Sequence, residues 1–308
     1  MKTVFIVNPK AGQGKHIDTL LSEIKSAAKK LSADVETYLT KRIGDAEDFV
    51  RHYCQEKGPA RFIACGGDGT LNEVLNGAIE TEGTEIGVLA RGTGNDFVRN
   101  FPDAGDFTSP KALILGTCTP CDVIRYQNLS DNSPARYCAN MVNIGFDCNV
   151  AILAGEMKKK PLISGSLAYL LSIFAVLIKK KGANLTLTLD GKEFHAGPLL
   201  LTNVSNGKFC GGGIKSNPLA SLQDGQLSVN IIYNISRLNL MHKLPFYMKG
   251  THINLRGIER YIANRVCKKL LVTPVGDLQI SVDGEIHPAG TTEFEAIPKA
   301  LRFVVPAK

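Results

Sequence analysis

Strand-like and helix-like patterns alternate along the first ninety residues, and this alternation constrains the fold more than any other feature of the sequence. The short apolar runs that are typical of strands are Thr3–Val7, Val35–Leu39, Arg61–Cys65 and Ile86–Ala90. The segments in which apolar residues recur at helical spacing are His16–Leu31, Ala46–Cys54 and Leu71–Ile79. Strands that alternate with helices predict a parallel sheet with right-handed crossovers.

The pattern changes after about Pro120, where short β-rich runs separated by turn residues take over. These runs are Tyr137–Ile144, Asn184–Leu189, Pro198–Val204, Gln226–Ile232, Lys269–Val272, Leu278–Val282, Thr291–Ala296 and Leu301–Val305. They predict a mostly antiparallel second domain. The length of 308 residues also favours two domains. We therefore predict an α/β domain at residues 1–120 and a β-rich domain at residues 121–297.

Composition and charge narrow the class of protein. With 44% hydrophobic and 21% charged residues, the chain is an ordinary globular protein, which excludes disorder, collagen and a coiled coil for the whole chain. The formal net charge of +7 suits phosphates or an anionic membrane surface. Because the basic residues are scattered and aromatic residues do not interleave with them, we expect no nucleic-acid binding.

The cysteines and the amino terminus favour a cytoplasmic protein. The apolar run at Thr3–Val7 is too short for the core of a signal peptide. We therefore expect the eight cysteines to be reduced thiols. Cys118 and Cys121 form a CxxC pair, but no second pair stands at zinc spacing, so two loop or buried thiols are the favoured interpretation.

One uncharged segment, Pro161–Ile178, is flanked by three lysines on each side. Its length is marginal for a membrane span, and it contains Pro, Gly and Ser residues. A buried helix is the favoured interpretation, and contact with anionic lipid through the flanking lysines is left open.

The strongest chemical signal is the run Gly66-Gly67-Asp68-Gly69-Thr70-Leu71-Asn72-Glu73, which follows a predicted strand and opens a predicted helix. Glycines at such a turn let the backbone approach a ligand closely, and the helix start attracts phosphate. A carboxylate beside phosphates suggests Mg²⁺, so Asp68 indicates a nucleotide with its metal. The alternative is a plain glycine-rich turn in which Asp68 caps the helix.

Two further loops suit phosphates. Gly92-Thr93-Gly94-Asn95-Asp96 follows the next strand, and Asn8-Pro9-Lys10-Ala11-Gly12 follows the first. Loops at adjacent ends of parallel strands would converge on one crevice. Neither a Walker A loop nor a GxGxxG fingerprint is complete, which disfavours a dinucleotide dehydrogenase. Together the three loops indicate a nucleotide site.

In the second domain, the segment around Asp283 has two interpretations. Asp283-Gly284 is a common hairpin turn, and by sequence alone that interpretation is slightly favoured. The functional interpretation makes Asp283 a general base, with Glu285 supporting it or a metal. Asp224-Gly225 is likewise an ordinary turn by its composition.

These motifs, with Asn143-Ile144-Gly145-Phe146-Asp147 and Gly211-Gly212-Gly213 between them, occur in one order along essentially the whole chain. In that order they resemble bacterial soluble lipid kinases of the diacylglycerol kinase catalytic-domain family, which are related to sphingosine kinases and NAD kinases. The GGDGTxNE run is shared across the superfamily, and its pairing with GTGND and a distal DGE is more specific.

The resemblance implies two domains with ATP in the cleft between them, and a return of about residues 298–308 to the first domain. The residues that it implies for nucleotide binding are Thr40, Gly66, Gly67, Asp68, Gly69, Thr70, Leu71, Asn72 and Thr93. It implies that Asp283 is the catalytic base. Asp96 and Asp122 match carboxylates of a polar network at the active site.

For Mg²⁺ the resemblance implies a site at Asp224 with the carbonyls of Ser221 and Gln226. The chain departs from the family here, because Gln223 stands where the family usually has a second Asp. Ala90-Arg91 also replaces a usual proline before the GTGND run.

The predicted activity is transfer of the ATP γ-phosphoryl group to a lipid hydroxyl, with diacylglycerol or a related lipid as acceptor. An NAD kinase is the nearest alternative, and a nucleotide-binding regulator without catalysis is a second. A membrane-spanning scaffold is a third. We expect a cytoplasmic enzyme with peripheral contact at the membrane surface, and relatives in the family often form homodimers.

Overall fold

The protein was analysed as a computed structural model, which describes residues 1–14, 17–131, 133–145, 148–150, 153 and 182–308. The chain divides into two compact units. Unit 1 contains residues 1–121 and 299–308, and unit 2 contains residues 122–298. The segment Pro161–Ile178, predicted as a buried helix, lies outside the described residues.

Unit 1 is built on a parallel sheet. Its strands are β1 (Thr3–Val7), β2 (Val35–Leu39), β3 (Arg61–Gly66) and β4 (Glu85–Ala90). They lie in the order β2-β1-β3-β4, and all three pairings are parallel. The end of the last strand, β15 (Thr292–Val305), adds a further parallel strand beside β4. The parallel sheet predicted from the alternating pattern is confirmed.

The helices of unit 1 have local reasons to begin and end where they do. They are α1 (Ile17–Leu31), α2 (Asp45–Lys57), α3 (Asp68–Ala78) and α4 (Pro110–Ile114). Gly44 and Gly58 flank α2 with φ of 80° and 78°, which a side chain would disfavour. Ser109 caps α4 by accepting a hydrogen bond from the Ala112 amide. The predicted helices therefore exist, with ends shifted by one to three residues.

The core of unit 1 lies between this sheet and α1. Leu20 and Ile24, which are one helical turn apart on α1, pack against buried strand residues such as Phe5 and Ile63. The returning end of β15 is fixed by Glu85, whose carboxylate accepts from Arg61 at 2.8 Å and Arg302 at 3.0 Å. The final strand is thus held by packing and by ion pairs.

Unit 2 is mostly antiparallel. The strands that complete the chain are β5 (Thr117–Asn128), β6 (Arg136–Cys138), β7 (Met141–Gly145), β8 (Ala183–Leu189), β9 (Lys192–Ser205), β10 (Leu227–Tyr233), β11 (Ile262–Cys267), β12 (Lys269–Pro274), β13 (Leu278–Val282) and β14 (Glu285–Ala289). One run of neighbours is β14-β13-β7-β9-β10-β11, and β9 also pairs with β8, which leads to β12. The antiparallel β-rich domain is therefore confirmed.

Unit 2 departs from the sequence-based prediction at several strands and one helix. The strands β5, β11 and β14 were not predicted. The run Tyr137–Ile144 was predicted as one strand, but it divides into β6 and β7. The runs Thr291–Ala296 and Leu301–Val305 form one continuous strand, β15. Helix α5 (Arg237–Lys249) was not predicted, because apolar residues lie on both its faces and Pro245 stands inside it. Ser236 caps its start, and Gly250 ends it in the left-handed conformation.

No helix within the described ranges is long and apolar enough to cross a membrane.

Candidate functional site

The loops that follow β1 to β4 lie at one edge of the unit 1 sheet, because the four strands are parallel. Direct contacts join them. The Asn8 amide donates to the Cys65 carbonyl at 3.1 Å, and the Thr40 amide donates to the Val7 carbonyl at 2.9 Å. The Asn8 side-chain nitrogen donates to Thr70 Oγ1 at 3.2 Å. The edge therefore forms one connected surface rather than separate loops.

Two glycines make the closest approach between loops. The amides of Arg91 and Gly92 both donate to the Gly66 carbonyl, at 2.9 Å and 3.1 Å. A Cβ atom added to Gly92 would overlap Gly67 Cα. Only glycine at position 92 allows this distance between the two backbones. The convergence predicted for the two glycine-rich loops is present in unit 1.

Asp68 fixes the second glycine-rich loop. Its carboxylate accepts hydrogen bonds from the amides of Asp96 at 3.1 Å and Phe97 at 3.2 Å. Gly67 occupies the N-cap position of α3, and Asp68 stands in the first turn of the helix. Asp96 is itself buried, and its Oδ1 atom lies 3.6 Å from Nε of Arg99. Asp68 thus acts on the neighbouring loop, through two backbone amides.

A pocket opens at this edge. Its lining includes two of the predicted nucleotide residues, Thr40 and Thr70. It also includes three cations that the sequence did not single out as ligands: Lys10, Lys41 and Arg42. A pocket that joins cations, hydroxyls and the start of a helix suits a polyphosphate.

Glu73 lines the same pocket and fixes the loop that follows β2. Its two carboxylate oxygens accept from the amides of Gly44 at 3.0 Å and Ala46 at 3.1 Å. These amides lie where the loop after β2 enters α2, and Ala46 lines the pocket. Glu73 therefore positions the loop that carries Thr40. Its place in the GGDGTLNE run could have drawn attention to it, but its partners lie 27 and 29 residues away in the sequence.

The remaining predicted nucleotide residues lie around this pocket in different environments. Leu71 and Asn72 are buried in α3, and Asn72 Oδ1 accepts from Asn76 Nδ2 at 3.2 Å. Gly66 ends β3, and Gly69 is half-buried in the first turn of α3. Thr93 is exposed in the second glycine-rich loop. The side chains of Leu71 and Asn72 therefore pack in the body of unit 1.

In unit 2, Asp283 occupies a tight turn and also binds a neighbouring loop. Asp283 and Gly284 have φ of 47° and 92° and join β13 to β14, so the hairpin interpretation is confirmed. Asp283 Oδ1 accepts from the amides of Asn140 and Met141, both at 3.1 Å, and Oδ2 accepts from the Ala139 amide at 3.0 Å. These three amides turn toward one carboxylate, which explains why β6 and β7 are separate strands.

A thiol completes the surroundings of Asp283. Cys138 Sγ donates to Asp283 Oδ1 at 3.1 Å. Complete burial, followed by the negative charge of Asp283, raises the pKa of the Cys138 thiol well above its usual value. Cys138 therefore remains a donor throughout the neutral range. Glu285, the other predicted carboxylate, is half-buried at the start of β14.

A buried polar network connects this turn to Asp122. Asn140 Nδ2 donates to the Phe209 carbonyl at 2.8 Å, and the Asn206 amide donates to the Asn140 carbonyl at 2.9 Å. Asn206 Nδ2 in turn donates to the Asp122 carbonyl at 3.2 Å. Oδ1 of Asn140 and Oδ1 of Asn206 have no hydrogen-bond donor in the part of the chain that the structure describes. Buried acceptors of this kind are normally paired, so a water or a ligand hydroxyl fits here.

The turn predicted to hold Mg²⁺ lies at the other end of this network. Asp122, which is fully buried, accepts from the Gly225 amide at 2.7 Å. Asp224 Oδ1 accepts from the Gln226 amide at 3.0 Å, and Ser221 Oγ accepts from the Gln223 amide at 3.3 Å. One carboxylate and nearby carbonyls are the oxygen donors that Mg²⁺ takes. Among the described residues, no three His, Cys, Asp or Glu side chains gather as a metal cluster.

Unit 2 also contains an apolar cavity that is partly open to solvent. It lies between α5 and the ends of β10 and β11, and its lining includes Leu201, Ile232, Leu240, Leu244 and Ile262. Among the lining residues that the structure describes, Lys243 is the one that carries a full charge at neutral pH. This cavity could not be predicted from the sequence, because α5, which covers it, shows no helical pattern.

A row of asparagines leads from the cavity across the sheet. Tyr247, which lines the cavity, donates from its hydroxyl to Asn203 Oδ1 at 3.2 Å, and Asn203 Nδ2 donates to Asn143 Oδ1 at 2.5 Å. Asn143, Asn203 and Asn230 are directly opposite one another on neighbouring strands. Ser281, two residues before Asp283, continues the row. Asp283 follows β13 in the turn, so the row ends two residues before it.

His252 makes the stability of unit 2 dependent on pH. It is fully buried in the cavity lining, and burial lowers its pKa to about 4. The unfolded chain takes up this proton below about pH 6.5, so stability is full above that pH and falls as pH drops toward 4. Between pH 7 and 4.5 we expect the wild type to lose about 2–3 kcal/mol more unfolding free energy than His252→Phe. Urea titrations at both pH values test this, with His242→Gln on the exposed side of α5 as the control. An equal loss in all three proteins would contradict the prediction.

Comparison with known families assigns both units. The diacylglycerol kinase catalytic domain matches residues 2–126. The YegS C-terminal NAD kinase beta sandwich-like domain matches residues 140–305, which is more than half of the chain.

Individual proteins agree with this assignment. A diacylglycerol kinase of Mycobacterium tuberculosis (strain CDC 1551 / Oshkosh) is 26% identical over 310 residues, which cover 99% of this chain and 95% of that protein. A crystal structure of a diacylglycerol kinase from Bacillus anthracis str. Sterne aligns with a TM-score of 0.71 at 20% identity, over 99% of this chain and 96% of that one. At 20% identity, the likeness to the crystal structure shows that the two proteins share a fold. The chain belongs to the diacylglycerol kinase catalytic-domain family of lipid kinases.

Proposed function

We propose that this protein transfers the γ-phosphoryl group of ATP to a hydroxyl group of a lipid, with diacylglycerol as the first candidate acceptor. The observation that carries the proposal is the partly open apolar cavity beneath α5 in unit 2, the same unit in which three backbone amides bind the Asp283 carboxylate. Family membership makes the protein a lipid kinase, and the cavity indicates what kind of acceptor it takes.

The nucleotide side of the reaction is supported by unit 1. Lys10, Lys41 and Arg42 can neutralise phosphate charge in the pocket that they line together with Thr40 and Thr70. Asp68 and Glu73 act as positioning residues, because each holds a loop by two backbone amides. In phosphoryl transfer, positioning and electrostatic stabilisation supply most of the rate enhancement.

Asp283 is the proposed proton acceptor. In the proposed step the lipid hydroxyl oxygen forms a bond to the γ-phosphorus while the bond to the β,γ-bridging oxygen breaks and ADP leaves. The hydroxyl proton passes to the Asp283 carboxylate, which three amides and one thiol hold in place. A positioned base of this kind contributes about 10²–10⁴-fold. The unpaired Oδ1 atoms of Asn140 and Asn206 support hydroxyl binding in the same network.

Magnesium fits the turn at Asp224 as a proposal. The Asp224 carboxylate and the carbonyls of Ser221 and Gln226 would hold it, and when bound it supplies charge stabilisation for the phosphates. Asp122 supports this turn through the Gly225 amide. The Asp96 carboxylate, beside Arg99, is the further acidic group proposed for the reaction.

The cavity favours a lipid acceptor over NAD⁺. Its lining consists almost entirely of aliphatic and aromatic side chains, the kind of surface that ligand sites offer to apolar groups. A lining with one full charge suits a hydrocarbon chain. It offers little to the polar ribose and pyrophosphate of a dinucleotide.

Transfer of labelled phosphate from ATP with Mg²⁺ to a panel of acceptors tests the proposal. The panel contains diacylglycerol, phosphatidylglycerol, ceramide and undecaprenol in mixed micelles, together with NAD⁺. We expect label on a lipid and none on NAD⁺. A Leu244→Trp variant, which fills the cavity, should lose lipid phosphorylation while it still binds ATP. The control Leu219→Trp, at an exposed site, should keep both lipid phosphorylation and ATP binding. Label on NAD⁺ would establish the alternative kinase, and bound ATP without any transfer would favour a regulator.

A further inference from the structure

Helix α5 exposes apolar side chains to solvent. Leu238 is 81% exposed, Met241 is 56% exposed and Phe246 is 36% exposed. Arg237 and Lys249 are exposed on the same helix. We call these five residues the outer face of α5. Leu238, Met241 and Lys249 are spaced at three and eight residues, which places them along one side of a helix. A cluster of exposed apolar residues on one helix usually marks an interaction surface.

The opposite side of α5 has a different role. Leu240, Leu244 and Tyr247 line the apolar cavity of unit 2. The helix therefore carries apolar side chains on both sides. One side lies over the cavity, and the other, which also includes His242, faces solvent. A helix with only a structural role would bury one apolar side and expose a polar one. The outer face of α5 does not follow that rule.

The charges of the helix select the kind of surface that it meets. Between Arg237 and Lys249 there is no Asp or Glu, while Arg237, Lys243 and Lys249 are cationic. Lys215 lies next to the carboxyl end of the helix, because its amide donates to the Met248 carbonyl at 3.0 Å. Apolar side chains flanked by cations, without acids, match the interface of a bilayer that contains anionic lipid.

We propose that the outer face of α5 is the surface by which this protein binds anionic lipid bilayers. Leu238, Met241 and Phe246 insert at the level of the headgroups, and Arg237 and Lys249 pair with lipid phosphates. The inference rests on the proposed function for its purpose, because it brings the cavity beneath α5 close to the membrane that contains the acceptor. The binding itself does not depend on catalysis.

The absence of tryptophan from the sequence allows a direct test. Leu238→Trp creates a single fluorophore on the outer face of α5. Leu129→Trp places one at a site of unit 2 that is 51% exposed, and it serves as the matched control. Each protein is mixed with vesicles of phosphatidylglycerol and phosphatidylcholine, or of phosphatidylcholine alone, with and without bromine on the acyl chains. Bromine quenches a tryptophan that reaches the chains.

We expect brominated anionic vesicles to quench the tryptophan at position 238 and to shift its emission to shorter wavelength, with little effect at position 129. Raising the salt concentration, or using phosphatidylcholine alone, should weaken the response. In the wild-type background, Arg237→Gln with Lys249→Gln should lower partitioning onto anionic vesicles about 25-fold. Leu238→Asp with Met241→Asp should lower it at least as much.

Equal quenching at the two positions, or none at position 238, would overturn the proposal. A spectral shift at position 238 that follows protein concentration without lipid, with a dimer seen by sedimentation, would assign the surface to a second copy of the chain instead. Phosphorylation of a short-chain diacylglycerol dissolved below its micellar concentration separates the two proposals. The Leu238→Asp/Met241→Asp variant should phosphorylate this dissolved lipid as the wild type does. If the kinase proposal is wrong, no variant should phosphorylate it, but vesicle binding should remain.

Discussion

Replacing Asp283 by Asn is expected to lower kcat by about 10²–10⁴-fold while ATP binding stays close to that of the wild type. The carboxylate is the proposed acceptor for the hydroxyl proton, and an amide cannot take that proton. ATP affinity should change little, because the nucleotide contacts proposed here belong to unit 1. Steady-state phosphorylation of diacylglycerol and calorimetric titration with ATP measure the two quantities.

The same substitution also disturbs the turn, so a control for stability is needed. In Asn, one oxygen becomes an NH₂ group that faces an amide or thiol donor around position 283, which costs about 1–3 kcal/mol of unfolding free energy. Leu187→Ala, deep in the core of unit 2, removes a comparable amount without touching this carboxylate. If Leu187→Ala keeps its kcat and Asp283→Asn loses it, stability is not the cause. If Asp283→Asn keeps kcat, the role of the carboxylate is only to hold the segment at Ala139 that separates β6 from β7.

The second large effect is expected at Gly92. A methyl group at position 92 would overlap Gly67 Cα, so Gly92→Ala must push the two glycine-rich loops apart. Misplacement of about 1 Å in a positioned site can cost about 100-fold in rate. We therefore expect kcat/KM for ATP to fall about 100-fold. Kinase assays over a range of ATP concentrations measure it.

A second glycine in unit 1 provides the control. Gly58 has φ of 78°, and a Cβ atom there would meet nothing within 4 Å. Gly58→Ala therefore costs about 1–3 kcal/mol of backbone strain without moving the loops. Its kcat/KM should stay near the wild-type value. A wild-type kcat/KM for Gly92→Ala would show that the close approach of Gly67 and Gly92 is not needed for nucleotide use.

The buried polar row of unit 2 gives the cavity a polar boundary. Asparagine side chains in the middle of a sheet are costly unless they are paired, and Asn143 and Asn203 pair with each other while Tyr247 pairs with Asn203. The row lies between an apolar cavity and the turn that holds Asp283. Such an arrangement separates the space suited to a hydrocarbon chain from the polar network suited to a hydroxyl.

Local patterns were sufficient for most of unit 1. The strands β1 to β4 and the helices α1 to α3 could be predicted because each has a continuous apolar or helical repeat, and glycines mark their ends. The edge at which the loops meet also followed, since parallel strands end on the same side. The hairpin at Asp283 was likewise predictable, because Asp-Gly favours the positive φ values that a two-residue turn needs.

Other features depend on partners that are distant in sequence. Asp68 also accepts hydrogen bonds from amides 28 and 29 residues further on, which no local pattern indicates. The break between β6 and β7 depends on a carboxylate more than 140 residues away. Helix α5 shows no amphipathic period, because both of its sides are apolar. No local rule covers these cases.

The sequence by itself determined the order of strands and helices in unit 1, the β-rich character of unit 2, and the glycine-rich turns at which a nucleotide is expected. These follow from backbone preferences and from periodic burial, which are properties of neighbouring residues. The tertiary structure alone decided which carboxylate holds which loop, where the apolar cavity lies and which side of α5 remains exposed. Those outcomes depend on how buried hydrogen-bond donors, acceptors and apolar surfaces find partners across the fold, and distance along the chain does not specify that pairing.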